Sequence, residues 1–160
     1  MDKRKVGDIY ELLGLSSGLV CLQHITNDET QLGSQVVRVY RPEASVGALS
    51  AIGEDLFFAH VFLKAGETLN RWRKIGHCKV DSSPRLLWCK CADMERQKAT
   101  TEKWWIWVTN EAMIPVSNEW DLLQQSELGL VINPNAVCQR AGTGQWSIRY
   151  PAKPSHRAQL

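Results

Sequence analysis

A chain of 160 residues, with 44% hydrophobic and 22% charged residues, is long enough to bury one core without disulfides or a structural metal, and its composition is not that of a disordered segment. Nineteen basic against 17 acidic residues leave a net charge of +2, which gives no large single-sign field of the kind that holds phosphate backbones or anionic membranes. No apolar run approaches the roughly 18 to 20 residues that cross a bilayer, and the basic start "MDKRKVGDIY" runs into Gly7 and Asp8 instead of the apolar core of a secretory signal, so a cytoplasmic protein with no membrane partner is expected.

The elements read mostly as strands. "KVGDIYEL" (5 to 12) and "LVCLQHI" (19 to 25) are short β-type runs joined by the Gly/Ser segment "LGLSSG". "SQVVRVYR" (34 to 41) alternates, with Val37 and Val39 facing one way and Arg38 and Tyr40 the other. Val46, Leu49 and Ile52 then recur at helical spacing after Pro42 and Glu43, and Gly53 can stop the chain there, which predicts a short helix. "DLFFAHVFLKAG" (55 to 66) is apolar on both faces and rich in Phe and Val, as in a strand buried on both sides.

"PRLLWCKC" (84 to 91) and "KWWIWVTN" (103 to 110) read as further strands, separated by "ADMERQKATTEK", whose six charges in twelve residues suit a solvated connection. "IPV" (114 to 116) forms a short return strand. Asn118 can cap a helix over "EWDLLQQSEL", with Glu119 and Asp121 in its first turn, Trp120 and Leu123 on its inner face and Gly129 past its end. "GQWSIRY" (144 to 150) reads as a late edge strand and "PAKPSHRAQL" as a loose tail. There is no internal repeat. The sum is one α+β domain over residues 1–150, with residues 151–160 as tail: a twisted, mainly antiparallel β-sheet with one or two short helices packed on it.

Few residues ask for chemistry. Five cysteines, Cys21, Cys78, Cys89, Cys91 and Cys138, are an odd set without a disulfide framework, and in a reducing compartment they act as small hydrophobes. His77, Cys78, Cys89 and Cys91 offer four metal donors within fifteen residues. Zinc favours pairs with two to four residues between them on a tight turn, and neither the adjacent His77–Cys78 nor Cys89–Cys91 with one residue between has that spacing, so neither a metal nor any other cofactor is expected. His60 lies in the most apolar run, where a satisfied core histidine is the ordinary outcome. No phosphate-binding loop, nucleophile elbow or metalloprotease helix occurs, and no catalytic residue is assigned.

The best binding candidate is Arg71, Trp72, Arg73 and Lys74, because tryptophan and arginine are the commonest anchors of protein interfaces and also stack on nucleic-acid bases; the equal alternative is a solvated strand edge with Trp72 folded in. A nucleic-acid face would draw on a wider basic stripe than a net +2 chain supplies, so nucleic acid is the lesser alternative, as a single-stranded module with Trp72, Trp105 and Trp107 as stacking rings. In "WWIW", strand alternation puts Trp104, Ile106 and Val108 on one face as core, and Trp105, Trp107 and Thr109 on the other. Trp105 and Trp107 are therefore either covered within the chain, for instance by Leu123 of the later helix, or part of a partner-binding face.

The order of these pieces resembles the immunity protein 26 family of bacterial polymorphic-toxin systems. The likeness covers about residues 5 to 132: "KVGDIYEL", "VVRVYRP", "LFFAHVFLKAGETLNRWRKIGHCKV", "SSPRLLW", then "KWWIWVTNEAMIPV" with a helix after it. "ADMERQKATTEK" and the chain beyond about residue 140 have no counterpart in that pattern. The resemblance implies an intracellular, non-enzymatic protein that binds a cognate toxin effector domain and blocks it. It carries no fixed residue set for the contact surface.

Overall fold

The computed structural model describes residues 4–47, 49–80, 87–92, 103–116 and 120–147. In chain order they form β1 (Asp8–Leu12), β2 (Cys21–Asp28), β3 (Ser34–Pro42), β4 (Gly53–Val61), α1 (Leu63–Thr68), β5 (Trp72–His77), β6 (Trp88–Ala92), β7 (Trp104–Val108), β8 (Ile114–Val116), α2 (Trp120–Gln125), β9 (Glu127–Leu128) and α3 (Pro134–Thr143). The fold is α+β, as the sequence predicts, but the strands divide between two sheets. The first has order β4-β3-β2-β1-β5, antiparallel throughout. The second has order β8-β7-β6-β9, in which only the β6–β9 pair is parallel.

Residues 127–132 stitch the sheets together along the outer edge of β4. Gly129 donates its amide to the Lys90 carbonyl at 2.7 Å, Ile132 donates to the His60 carbonyl at 2.7 Å, and the Phe58 amide donates to Glu127 Oε1 at 3.1 Å. A second tie runs through the turn after β7. Asn110, in the left-handed region at φ 69°, accepts the Glu29 amide on Oδ1 and donates from Nδ2 to the Asn27 carbonyl.

Apolar alternation on β1 to β4 builds the main core. Tyr10, Leu12, Leu22, Val37, Val39, Phe57, Ala59 and Val61 turn one face of the first sheet toward α1, α3 and residues 128–132. The opposite face carries a smaller cluster of Ile9, Cys21 and Tyr40 with Ile75 and Cys78. Tyr40 thus faces away from Val37 and Val39, as its position in the strand requires.

Three helical features differ from expectation. No helix forms between Pro42 and Gly53: among the described residues the segment runs through turns, and Val46, Leu49 and Ile52 are exposed. Arg38 competes for its backbone by donating to the Ala51 and Gly53 carbonyls while pairing with Asp55. The apolar run from residue 55 ends as strand at Val61, and Leu63 to Thr68 turn into α1. The last helix, α3, lies where no element was expected. Asn133 caps it by accepting the Asn135 amide at 2.8 Å, Pro134 fits its first turn, and Gly144 at φ 76° closes it.

Trp146 follows α3 in irregular backbone, not in an edge strand. Its ring stands edge-on to Phe57 with centroids 5.2 Å apart, and the Arg140 guanidinium lies 4.4 Å from both ring centroids. The predicted cap Asn118, the Trp120 side chain, residues 84–86 and 93–102, and the predicted tail lie outside the described residues.

Candidate binding surface

Strand β5 is the edge of the first sheet and pairs only with β1 among the described residues. Its first residue is held inward by geometry that only glycine permits. The Trp72 indole, 1% exposed, donates Nε1–H to the Leu63 carbonyl at 3.0 Å and lies flat over Gly66 of α1. A Cβ on Gly66 would stand 1.9 Å from Trp72 Cε2, so no other residue fits without displacing the ring. Trp72 is therefore the post on which β5 is mounted, not a contact residue, and this corrects its assignment as a binding anchor.

Beyond that post the strand is cationic and open. Arg73 pairs with Glu11 at 2.8 Å and is 66% exposed; Lys74 pairs with Asp8 at 2.6 Å and is 41% exposed. His77 Nδ1 reaches the other Asp8 oxygen at 3.1 Å. Burial pushes the Asp8 carboxyl up, but hydrogen bonds from Lys74, the Lys5 amide and His77, with the charge of Lys74, outweigh it and hold it below the ordinary carboxylate value. Arg71 and Lys79, at the two ends, are exposed.

A register shift between Ile9 and Tyr10, a β-bulge, leaves Ile75 as the extra residue, and its side chain packs on the smaller cluster. Next to it, Gly76 admits the Leu49 side chain from the β3–β4 connection; a Cβ there would meet Leu49 Cδ2 at 2.2 Å. The connection thus brings one exposed apolar side chain, Leu49, to the cationic edge, while Val46 and Ile52 are exposed elsewhere along it.

The second sheet separates the tryptophan pair. Trp104 and Ile106 are buried against Leu123 and Ala92, so α2 covers the face expected to be core and not the face of Trp105 and Trp107. Trp107 is fully buried beneath Gly129, where a Cβ would stand 1.9 Å from its Cη2. It too is removed from any contact surface. Trp105 stays 36% exposed beside Pro115 of β8. Of the six candidate residues, Arg73 and Lys74 stand exposed on β5 with Arg71 just before it and Trp72 turned inward, while Trp105 and Trp107 belong to the other sheet.

Three buried titratable groups, Asp28, His60 and Cys89, are closed off. His60 Nε2 meets Asp28 Oδ2 at 3.1 Å with both residues at most 1% exposed, and burial holds the imidazole below its ordinary pKa despite the Asp28 charge. Asp28 Oδ1 meanwhile accepts the Gln31 amide in the turn after β2. Cys89 is fully buried, and burial pushes its thiol up to about 12, so it stays protonated and inert. His77 and Cys78 lie at the β5 edge, whereas Cys89 and Cys91 lie on β6, and among the described residues no three His, Cys, Asp or Glu side chains converge on a metal position.

No protein-family model, no curated protein and no solved structure matches this chain. The described residues contain no helix long and apolar enough to cross a membrane.

The sequence reading missed Leu49 and its neighbours as surface residues. Their helical spacing pointed to a core face. The contrary signal was the pair of glycines at 47 and 53, with Pro42, bracketing a stretch too short to bury an amphipathic stripe.

Proposed function

We propose that this chain is an immunity protein, a cytoplasmic binding domain that neutralises a bacterial toxin domain by direct contact. The observation that supports it best is the β5 edge: a cationic strand on a buried tryptophan post, with exposed Leu49 seated at its Gly76. An apolar centre with a charged rim is the anatomy of a protein interface. Asp28, His60 and Cys89 have no route to a substrate as folded, and the exposed His77 is engaged with Asp8 within the cationic edge itself. The order of sequence elements that resembles immunity protein 26 points the same way. Stacking on single-stranded nucleic acid is not favoured, because it needs exposed rings and two of the three candidate rings are buried.

The test is growth. Cells expressing the C-terminal domain of the large protein encoded beside this chain should stop growing, and co-expression of this chain should restore growth and co-purify that domain. Absence of both rescue and co-purification overturns the proposal.

A further inference from the structure

We infer that the β5 edge takes an extended acidic segment of the partner protein bearing one apolar side chain that meets Leu49; this rests on the protein-binding reading above. Along residues 71–79 and the adjoining N-terminal turn stand five cations, Lys5, Arg71, Arg73, Lys74 and Lys79, all exposed. The carboxylates among them are two, Asp8 and Glu11, and both are engaged: Asp8 is 1% exposed beneath Lys74 and His77, and Glu11 is held by Arg73. A third, Glu67 of α1, is occupied by Arg4. Lys5, Arg71 and Lys79 have no ion pair among the described residues. The local balance is therefore more positive than that of the entire chain, and the excess sits on one strand.

Among the described residues the outer side of that strand has no β-partner. Residues 72 to 77 span about 17–20 Å at strand rise, the length of an extended segment of about six residues. Main-chain pairing along such an edge supplies affinity and alternate side chains supply selection. Cations on an edge strand ordinarily deter pairing with other copies of the same chain. Here the same charges that exclude a second β5 favour an acidic strand, which gives discrimination as well as attraction. Leu49 at Gly76, between Lys74 and Lys79, is the apolar contact at the centre of the cationic run.

The probe is a labelled peptide of alternating Glu and Thr with one central Leu, titrated into the full chain by fluorescence polarisation. Binding is expected at low salt and at least about tenfold weaker near 0.5 M salt, where the screening length is only a few ångströms. The counterpart with Lys in place of Glu should not bind. Arg71→Glu with Lys79→Glu should weaken binding at least about tenfold, and Leu49→Ser several-fold, the latter only for the peptide that carries Leu. Lys64→Glu, on exposed α1, should leave binding unchanged. Failure of the Glu peptide to bind, equal binding of the Lys peptide, or indifference to the double substitution overturns the inference. Growth rescue in the co-expression test alongside any of those results overturns this inference alone; lost rescue with peptide binding intact overturns the toxin reading alone.

Discussion

Trp72→Ala tests whether this residue is a structural post or a surface anchor. The indole is 1% exposed, and a tryptophan removes about 150–250 Å² from water, which at about 25 cal/mol per Å² is roughly 4–6 kcal/mol. Measured truncations of buried aromatics cost about 3–5 kcal/mol. The Leu63 carbonyl would also lose the Nε1–H donor it accepts at 3.0 Å. Against a total stability of about 5–15 kcal/mol, and at about 2–4 °C per kcal/mol for a chain of this size, the melting temperature should fall by roughly 6–20 °C. Trp72→Phe keeps most of the ring and loses the hydrogen bond, for a cost of about 1–2 kcal/mol. Far-UV circular dichroism on heating reads both without relying on tryptophan emission. If Trp72→Ala melts within about 1 °C of wild type while partner binding collapses, the ring works at the surface and the reasoning from burial is wrong.

Three further outcomes follow from the packing. Gly66→Ala and Gly129→Ala each drive a methyl group into an indole, Trp72 or Trp107, and each should cost about 1–3 kcal/mol or more in urea unfolding. Asn110→Ala removes two hydrogen bonds between the sheets and puts a Cβ residue without a compensating side-chain bond at φ 69°, so a loss of about 1–3 kcal/mol is expected, with Asn110→Gly recovering the backbone part only. Stability should also fall on acidification in two stages. His60 is held below its ordinary value when folded, so the unfolded chain takes up its proton first and stability drops as pH falls through about 6.5. Asp8, with its folded pKa lowered from 3.8, contributes stability above that pH and loses it as pH falls through the folded value. Urea midpoints across pH should show His60→Asn flattening the first stage and Asp8→Asn the second.

The strands of the first sheet were legible because each carries its own local pattern. Val37 and Val39 alternate with Arg38 in the sequence and in the core, and the strand over residues 34–41 is found at Ser34–Pro42. What stayed hidden depends on contacts distant in sequence. The segment carrying Val46, Leu49 and Ile52 runs through turns whose end is held by Arg38, which donates to the carbonyls of Ala51 and Gly53. The strand read from residue 55 and ended by "KAGE" stops at Val61, and Gly66 sits in a helical turn beneath Trp72, a contact invisible until both are in place. The α3 signals were present in Asn133, Pro134 and Gly144, but buried Ala136, Val137 and Ala141 are small side chains that give a weak apolar stripe beside the stronger pattern of "GQWSIRY".

The candidate surface was half legible. "RWRK" marks an exposed edge, with Arg73 and Lys74 on β5 and Arg71 just before it. The sequence leaves open whether its tryptophan turns inward, because Trp72 alternates with Arg71 and Arg73 to the buried face only once β1 fixes the register. "WWIW" divided by alternation as expected for Trp104 and Ile106. The difference within the other pair, Trp107 buried and Trp105 exposed, comes from Gly129, twenty-two residues after Trp107.

The most direct measurement is gel filtration of the purified chain mixed with the purified C-terminal domain of the protein encoded beside it, for wild type and for Arg71→Glu with Lys79→Glu. The expected result is one co-eluting complex with wild type, lost or markedly reduced with the double substitution although that variant melts like wild type. Separate elution of the two wild-type proteins contradicts the claim that this chain acts by direct contact.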